Sequence, residues 1–246
     1  MVVWAFADSW YYHELAPQVW SLTWWQQVLT GAHFGSTVFL SFTFAPIVTL
    51  ISAIICLPAA YAFSRFEFPG KRVMFIGLFA TNAFPKMGLY IAMASLLYAL
   101  HLMDTFWGIV LIQLVNTLVV MTWIPAAAFS AVPKSLEEAA RDAGAGPLRT
   151  FWHVTLPFAR PGIIVALIQA FLASFDEAQG TFLVGAPNYI TMPVQMYSMV
   201  TNYPQQASAV FSIILTLPSL LLMLVIRRYV VGGLSCRWFP FEIKHS

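Results

Sequence analysis

The sequence predicts an all-α protein that crosses a membrane several times. Of its 246 residues, 60% are hydrophobic and only 9% are charged, and the mean hydropathy is +0.76. Soluble globular domains carry about 25% charged residues. The charges here cluster between long neutral runs, some of which exceed the roughly 20 residues that a helix needs to cross a bilayer. This composition excludes an ordinary soluble domain.

Five membrane spans are predicted, at 36–64, 73–96, 106–129, 161–183 and 206–227. The first run contains no ionisable side chain except Cys56 and Tyr61. The second contains Pro85, which removes a backbone hydrogen bond. It is therefore predicted to kink or break there and to continue as an outer-surface helix to about Leu102. A single long kinked helix is the alternative that the residues leave open.

Lysine and arginine predict the orientation, because the cytoplasmic loops of membrane proteins are enriched in them. Eleven of the twelve fall into three groups that the five spans place on one side. These are Arg65, Lys71 and Arg72; Lys134, Arg141, Arg149 and Arg160; and Arg227, Arg228, Arg237 and Lys244. Lys86 is the exception. Residues 1–35 are then predicted to be an extracytoplasmic segment and 234–246 a cytoplasmic tail. The net charge of +2 reports this orientation rather than a nucleic-acid partner.

A short helix-turn-helix is predicted at 135–153, on the cytoplasmic side. Ser135 and Glu138 have the spacing of a capping box, which would begin the first helix. Glu137 and Arg141 are predicted to form an i,i+4 pair on the wetter side of that helix. An apolar stripe runs along it at i, i+3, i+4 and i+7, formed by Leu136, Ala139, Ala140 and Ala143. Because most of these side chains are small, another surface could approach the backbone closely.

The turn of this unit is predicted from its glycines and proline. Gly144 suits the left-handed residue that follows a helix end. Gly146-Pro147 can start a second short helix, because proline is tolerated at the first helical position. Taken as a pattern alone, the unit would also suit an amphipathic connector lying on the membrane.

The same segment resembles the EAA loop of membrane subunits of binding-protein-dependent ABC importers. The match consists of Glu138-Ala139-Ala140, Gly144 and Val154-x-Leu156-Pro157, with Val154 where the family has Ile. The similarity extends from the segment after Leu22 to about Gly233. It implies the type I ABC importer transmembrane fold over 36–233, with a coupling loop at 131–160 that docks on a cytoplasmic ATPase. The residues expected to couple to the ATPase are Glu137, Glu138, Ala139, Ala140, Ala143, Gly144, Leu156 and Pro157.

Further expectations follow from this resemblance. Family members usually begin with another transmembrane helix, so either that helix is expected to be absent from this chain or the start of the sequence is expected to have been assigned too late. The resemblance implies a second permease subunit, an ABC ATPase dimer, an extracytoplasmic substrate-binding protein and the lipid membrane as partners. It also implies a multi-pass protein of the bacterial inner membrane.

The chain is predicted to be a non-catalytic transport subunit. Its sequence contains no G-x-x-x-x-G-K-[ST] phosphate loop. No cofactor is therefore expected on this chain, and ATP and Mg²⁺ are expected on the partner ATPase. The histidines and cysteines are scattered, which predicts no metal site. Cys56 and Cys236 would lie at different depths and are predicted to be free thiols.

Polar side chains within the predicted spans are candidates for the solute pathway, because placing them in lipid is costly. The candidates are Asn82, Gln113, Asn116, Gln169, Asp176 and Glu177. Asp176 and Glu177 would lie near the outer end of the fourth span, where snorkelling to the interface is the alternative. Hydrogen bonding between helices is the alternative for the four amide side chains.

The substrate is predicted to be a small cationic or zwitterionic solute, such as a polyamine or an opine. Thr181–Ser198, preceded by Ser174-Phe175-Asp176, resembles the outer loop of permeases for polyamines, opines and phosphonates. An acidic pair would also suit a cation. Pro58–Lys71 and Tyr229–Gly233 instead resemble maltose-type sugar permeases, so a sugar importer is the alternative. A stand-alone channel or secondary transporter is a third possibility; such folds often carry inverted repeats, and no convincing halves are evident in this sequence.

Overall fold

A computed structural model describes residues 2–10, 17, 19–31, 33–83 and 85–234, with the backbone alone at 79, 82, 83 and 225–234. The described chain is predominantly helical, as predicted. In chain order its elements are α1 (Val2–Ala5), β1 (Ala7–Ser9), β2 (Val19–Trp20), α2 (Thr23–Leu29), α3 (Phe34–Arg65), α4 (Lys71–Ala83), α5 (Lys86–Ala99), α6 (Phe106–Ser130), α7 (Lys134–Asp142), α8 (Pro147–Thr150), a π-helical segment (Phe151–Thr155), α9 (Leu156–Phe175), α10 (Gln179–Gly185), α11 (Met192–Asn202) and α12 (Gln205–Leu234).

Four helical segments of the described chain are long and apolar enough to cross a membrane. They are Phe34–Arg65, Phe106–Ser130, Pro147–Phe175 and Gln205–Leu224. These segments confirm the predicted spans that begin at 36, 106, 161 and 206, although the boundaries of the one at 161 differ from the prediction.

A bundle of α3, α6 and α9 forms the centre of the fold, and each of these helices packs against the other two. Ala53, Met121 and Ala166 are buried where the three meet. A Cβ atom added at Gly162 would lie 2.5 Å from the Cβ of Ala128, so α9 approaches α6 very closely. Helices within lipid associate through such close contacts between small residues, because burial from lipid supplies little hydrophobic driving force.

We expect Gly162→Leu to destabilise this bundle by about 2 kcal/mol, because overpacking a tight contact costs roughly 1–3 kcal/mol. Thermal denaturation of the subunit in detergent measures the loss. Gly77→Leu in α4 is the matched control, since nothing lies within 4 Å of the position of its Cβ. Equal denaturation midpoints for the two variants would contradict the close contact between α6 and α9.

The second predicted span is divided into two helices. α4 ends at Ala83 and α5 begins at Lys86, with Pro85 as its N-cap residue. The predicted break is therefore confirmed, and the alternative of one long kinked helix is wrong. Proline has no amide to donate and disfavours a helical conformation in the residue before it. At 13 and 14 residues, either helix is about 20 Å long, which is shorter than a bilayer core.

The fourth predicted span ends earlier than expected. It was predicted at 161–183, but α9 ends at Phe175 and the separate helix α10 follows after Ala178. α10 packs against α5 and α6 rather than continuing the direction of α9. The physical reason is the carboxylate of Glu177, which binds the free amides at the beginning of α10.

The segments predicted to lie outside the membrane meet at one end of the fold. α1, α2 and α11 pack against the first turns of α12, where Val28, Met199 and Phe211 are buried together. β1 and β2 pair antiparallel beside them. The indole N–H of Trp25 donates to the carbonyl oxygen of Ala5 at 2.9 Å. The aromatic residues near the N-terminus are thus held by packing and hydrogen bonds at this end.

Candidate functional site

The first helix of the predicted coupling unit is α7, but its start differs from the prediction. Pro133 is the N-cap residue and makes no side-chain capping bond, while Ser135 lies inside the first turn. The predicted capping box of Ser135 and Glu138 is therefore wrong. The extended backbone of Pro133 starts the helix before Ser135 can cap it. Glu138 is the fifth residue of the helix, beyond the third position that a capping-box residue occupies, and its side chain is exposed.

The turn after α7 has the predicted geometry. Gly144 adopts a left-handed conformation with φ at 85°. Its N–H donates to the carbonyl oxygen of Arg141 at 2.8 Å, and the N–H of Ala145 donates to that of Ala140 at 2.9 Å. This pair of bonds closes the C-terminus of the helix, and it requires a residue that tolerates positive φ.

The apolar stripe of α7 faces outward. Leu136, Ala139 and Ala143 are exposed and Ala140 is half-buried. We call Leu136, Ala139, Ala140, Ala143 and Gly144 the coupling surface. Leu148, which was not among the predicted coupling residues, is 75% exposed nearby in α8. A surface of small apolar side chains at the end of a membrane bundle suits close docking of another protein.

Four of the predicted coupling residues lie outside this surface: Glu137, Glu138, Leu156 and Pro157. Leu156 packs against the buried cluster that contains Ala126 and Phe129, so it supports the unit from inside. Pro157 is exposed in the first turn of α9. The predicted second coupling helix is also not separate, because α8 runs through the π-helical segment into α9 without a break.

Glu137 differs most from its predicted position. It is the buried residue of α7, and it pairs with Arg65 at 2.7 Å rather than with Arg141 on a wet face. The same oxygen, Oε1, accepts a hydrogen bond from Thr155 Oγ1 at 2.7 Å. Nη2 of Arg65 also donates to the carbonyl oxygen of Val132 at 3.0 Å. We call Arg65, Glu137, Thr155 and this carbonyl group the Arg65 clamp.

A second site is a cavity of about 610 Å³ between α5, α6, α9 and the residues that lead into α10. It collects Asn116, Gln169, Asp176 and Glu177 from the predicted pathway residues. Lys86, the exception to the predicted charge grouping, and Tyr90, which was not a candidate, also line it. Contact between these residues and a solute stays a prediction. We call this cavity the polar cavity.

Glu177 is not a snorkelling residue, because it is only 5% exposed. One carboxylate oxygen accepts the N–H of Gly180 at 2.7 Å, and the other accepts the N–H and the hydroxyl of Thr181 at 2.8 and 2.6 Å. The carboxylate thus caps α10. Asp176, its neighbour, is exposed and accepts a long hydrogen bond of 3.4 Å from Ser219.

Gln113 links helices behind the polar cavity rather than lining it. Its side chain is buried, donates to Thr181 Oγ1 at 2.9 Å and accepts from Ser174 Oγ at 2.7 Å. Asn116 donates to the hydroxyl of Tyr90, which in turn faces Glu177. These bonds connect α5, α6, α9 and α10 in one network. The alternative of hydrogen bonding between helices therefore holds for Gln113 and in part for Asn116.

The remaining sequence candidates have simple outcomes. Gln169 is half-buried in the wall of the polar cavity. The side chain of Asn82 lies outside the described part of the structure, as does Cys236. Cys56 is a buried free thiol, as predicted. No cluster of three or more His, Cys, Asp or Glu side chains with metal-binding geometry occurs among the residues that the structure describes.

Most of the contacts that sequence reasoning missed join residues that are far apart in the chain. Arg65 and Glu137 are 72 residues apart, and Gln113 and Thr181 are 68 apart. Only Glu177 carried a usable local signal, since an acidic side chain three residues before Gly180-Thr181 has the spacing of a helix cap.

Comparison with known proteins agrees with this architecture. The chain is 30% identical over 237 residues to the maltodextrin transport system permease protein MdxG of Bacillus subtilis (strain 168), which covers 94% of this chain and 81% of that protein. It is 28% identical over 227 residues to the trehalose transport system permease protein SugB of Mycobacterium tuberculosis (strain CDC 1551 / Oshkosh), covering 90% and 83%.

A solved structure shares the fold. A bacterial ABC transporter involved in the import of the acidic polysaccharide alginate superposes with a TM-score of 0.67 at 20% identity, over 93% of this chain and 88% of that chain. Residues 27–235 match the family described as the binding-protein-dependent transport system inner membrane component. The chain belongs to this family of importer permeases, and its transmembrane domain has the fold of ABC importers.

Proposed function

We propose that this chain forms one half of the translocation pathway of an ATP-driven importer of a sugar, with the polar cavity as a contact site for the solute. The coupling surface would dock on the ATPase. The observation that carries the proposal is the course of α9. Its 20 residues extend from the Arg65 clamp to Asp176 at the polar cavity, a distance of about 30 Å. One rigid element thus connects the two sites.

The chemistry of the polar cavity suits a hydroxyl-rich solute. Asn116, Gln169, Asp176 and Lys86 supply donors and acceptors, while Leu172 and Val120 supply apolar wall. A volume of about 610 Å³ lies within the roughly 300–1,000 Å³ that is usual for small-molecule sites. Amide and charged side chains above an apolar wall can satisfy the hydroxyl groups of a sugar ring and cover its apolar face.

A sugar is favoured over the polyamine or opine that the sequence predicted. The prediction relied on a loop resemblance and on two carboxylates, but both carboxylate oxygens of Glu177 are already engaged by α10. Asp176 is left with Lys86 in the same cavity, so the cavity has groups of both signs. The relatives described above are permeases for maltodextrin and trehalose, which supports the same substrate class.

We propose that other subunits complete the importer complex. A second permease would supply the other wall of the pathway, because so few spans seldom enclose a route for a whole solute. An ABC ATPase dimer would hold ATP and Mg²⁺ and perform the hydrolysis, and an extracytoplasmic binding protein would deliver the solute. The assembly would lie in the inner membrane of a bacterium. This chain would contribute no catalytic residue.

Two measurements test the proposal, one for the substrate class and one for the need for partners. The binding protein encoded with this permease is screened by thermal shift against maltose, maltotriose, trehalose, putrescine, spermidine and octopine. We expect stabilisation by at least one of the sugars. Stabilisation by a polyamine or an opine alone would overturn the sugar proposal. Uptake of the stabilising sugar by liposomes that contain this chain without partners would support a stand-alone transporter instead.

Gln169→Leu tests the polar cavity. We expect it to lower uptake of the sugar about fivefold in the reconstituted complex, because one lost hydrogen bond is worth about 1 kcal/mol. Thr216→Val is the matched control, since Thr216 is exposed on α12 and donates to the carbonyl oxygen of its own helix at 2.7 Å. Equal uptake by both variants would argue against solute contact at Gln169.

A further inference from the structure

The Arg65 clamp contains an ion pair that is largely withdrawn from solvent. The side chains of Arg65 and Glu137 are 7% and 6% exposed. The other ion pair within the described residues, Lys71–Glu67, leaves the Glu67 side chain 90% exposed. All three bonds of the clamp use Nη2 of Arg65, Oε1 of Glu137 or both. Nη2 donates to Oε1 at 2.7 Å and to the carbonyl oxygen of Val132 at 3.0 Å, and Oε1 also accepts from Thr155 at 2.7 Å.

The clamp joins α7 to three membrane-spanning helices. Arg65 is the last residue of α3, Val132 follows the end of α6, and Thr155 directly precedes α9. Glu137 is the only residue of α7 that is buried, whereas the coupling surface of the same helix is open. A force applied to the coupling surface would therefore reach α3, α6 and α9 through Glu137, in addition to the backbone that links α7 to α6 and α8.

The ion pair of the Arg65 clamp is better suited to transmit movement of α7 to the spans than merely to hold the helices together. The free energy of removing two charges from water often exceeds the free energy gained from their attraction. Well-packed apolar side chains would therefore hold these elements together at least as well. Charge-assisted hydrogen bonds have a narrow range of distance and angle, however. Such bonds resist sliding and rotation, which an apolar contact would permit.

We propose that Arg65, Glu137 and Thr155 form the joint through which displacement of α7 by the ATPase is transmitted to α3, α6 and α9. They are positioning residues, because none of them lines the polar cavity. The π-helical segment that contains Thr155 belongs to this joint, and such segments are frequent at functional sites. The inference rests on the proposed docking of the coupling surface on the ATPase.

Hydrogen exchange on the assembled importer tests transmission directly and requires no solute. The complex of both permeases and the ATPase is measured by mass spectrometry with and without Mg²⁺ and a nonhydrolysable ATP analogue. In the unaltered complex we expect the nucleotide to change exchange in α7 and also at 60–66 and 151–156. No change in α7 would contradict the proposed docking itself, which separates that failure from failure of the joint.

The decisive variants are Glu137→Ala and Arg65→Ala. We expect each to retain the nucleotide response of α7 while reducing the response at 60–66 and 151–156 at least about fivefold, the lower end of a typical coupling between sites. The double variant should be no worse than either single variant, because both remove the same contact. Unchanged responses at 60–66 and 151–156 in either single variant would overturn the proposal.

Glu67→Gln is the matched control, since it removes an exposed carboxylate from an ion pair of 2.8 Å on the same side of the membrane. Its exchange responses should equal those of the unaltered complex. An equal loss of response in Glu67→Gln would overturn the proposal, because it would assign the effect to surface charge in general.

Substitutions of Thr155 test the same joint if the charge variants do not assemble. Thr155→Val removes the hydroxyl that binds Glu137 and conserves the shape, whereas Thr155→Ser retains the hydroxyl. We expect only the valine variant to lose response at 151–156 and to move fewer sugar molecules per ATP hydrolysed. Equal exchange responses and equal numbers of sugar molecules moved per ATP in the two variants would overturn the proposed joint.

Discussion

Gly144→Trp is expected to abolish transport while leaving the subunit in the membrane. Gly144 has φ at 85°, a conformation that is strained for any residue with a Cβ. The position is also open, with nothing within 4 Å of an added Cβ. An indole there would protrude from the coupling surface and prevent close docking of the ATPase. Uptake by the reconstituted importer and copurification of the ATPase measure the two effects.

Gly70→Trp is the matched control for backbone strain. Gly70 has φ at 83°, also has nothing within 4 Å of an added Cβ, and lies between α3 and α4 outside the coupling surface. We expect it to retain the ATPase and most of the transport. Ala140→Asp should reproduce the loss seen with Gly144→Trp, because it places a charge on the same surface. Normal transport by Gly144→Trp would refute the assignment of this surface.

Glu177→Ala is expected to have the largest effect on stability. The carboxylate accepts three hydrogen bonds in a buried position. Its removal would leave two backbone amides at the start of α10 without partners, at a total cost of about 3 kcal/mol. α10 would then loosen from α5 and α6, and the wall of the polar cavity would be lost with it. The midpoint temperature of thermal denaturation in detergent and the rate of sugar uptake should both fall.

Asp176→Asn is the neighbouring control for this prediction. Asp176 is exposed, and its hydrogen bond to Ser219 is long, at 3.4 Å. We expect little change in the denaturation midpoint, because an asparagine can accept the same bond. Equal destabilisation by the two variants would show that the acidic pair acts as one charged site, as the sequence alone had suggested, rather than as a cap and an exposed neighbour.

Much of the architecture could be predicted from the sequence. Runs without charge give helices long enough to cross a bilayer, and this depends only on local composition and on the thickness of the bilayer. Pro85 divides the second span because it lacks an amide hydrogen, and Gly144 ends α7 because it tolerates positive φ. These are properties of single residues and their immediate neighbours, so they required no knowledge of distant parts of the chain.

The candidate site was predictable only in part. Asn116, Gln169, Asp176 and Glu177 were selected because polar groups in lipid are costly, and the fold brings them to one cavity. Their individual roles could not be predicted, because the same cost is met by contact with solute, by a bond between helices or by a cap. Glu177 and Gln113 are engaged by Thr181, and that choice depends on how α10 packs.

The sequence by itself determined the class of protein, the positions of the main spans and the coupling turn, because hydrophobic length, charge placement and backbone preference act locally. The tertiary structure alone decided which partner each polar group takes. Glu137 has Arg141 one turn away, yet it pairs with Arg65, which lies 72 residues earlier in the chain. Packing brings the end of α3 beside α7. The buried carboxylate of Glu137 then pairs with the guanidinium group of Arg65, which is buried next to it, because an unpaired buried charge is costly.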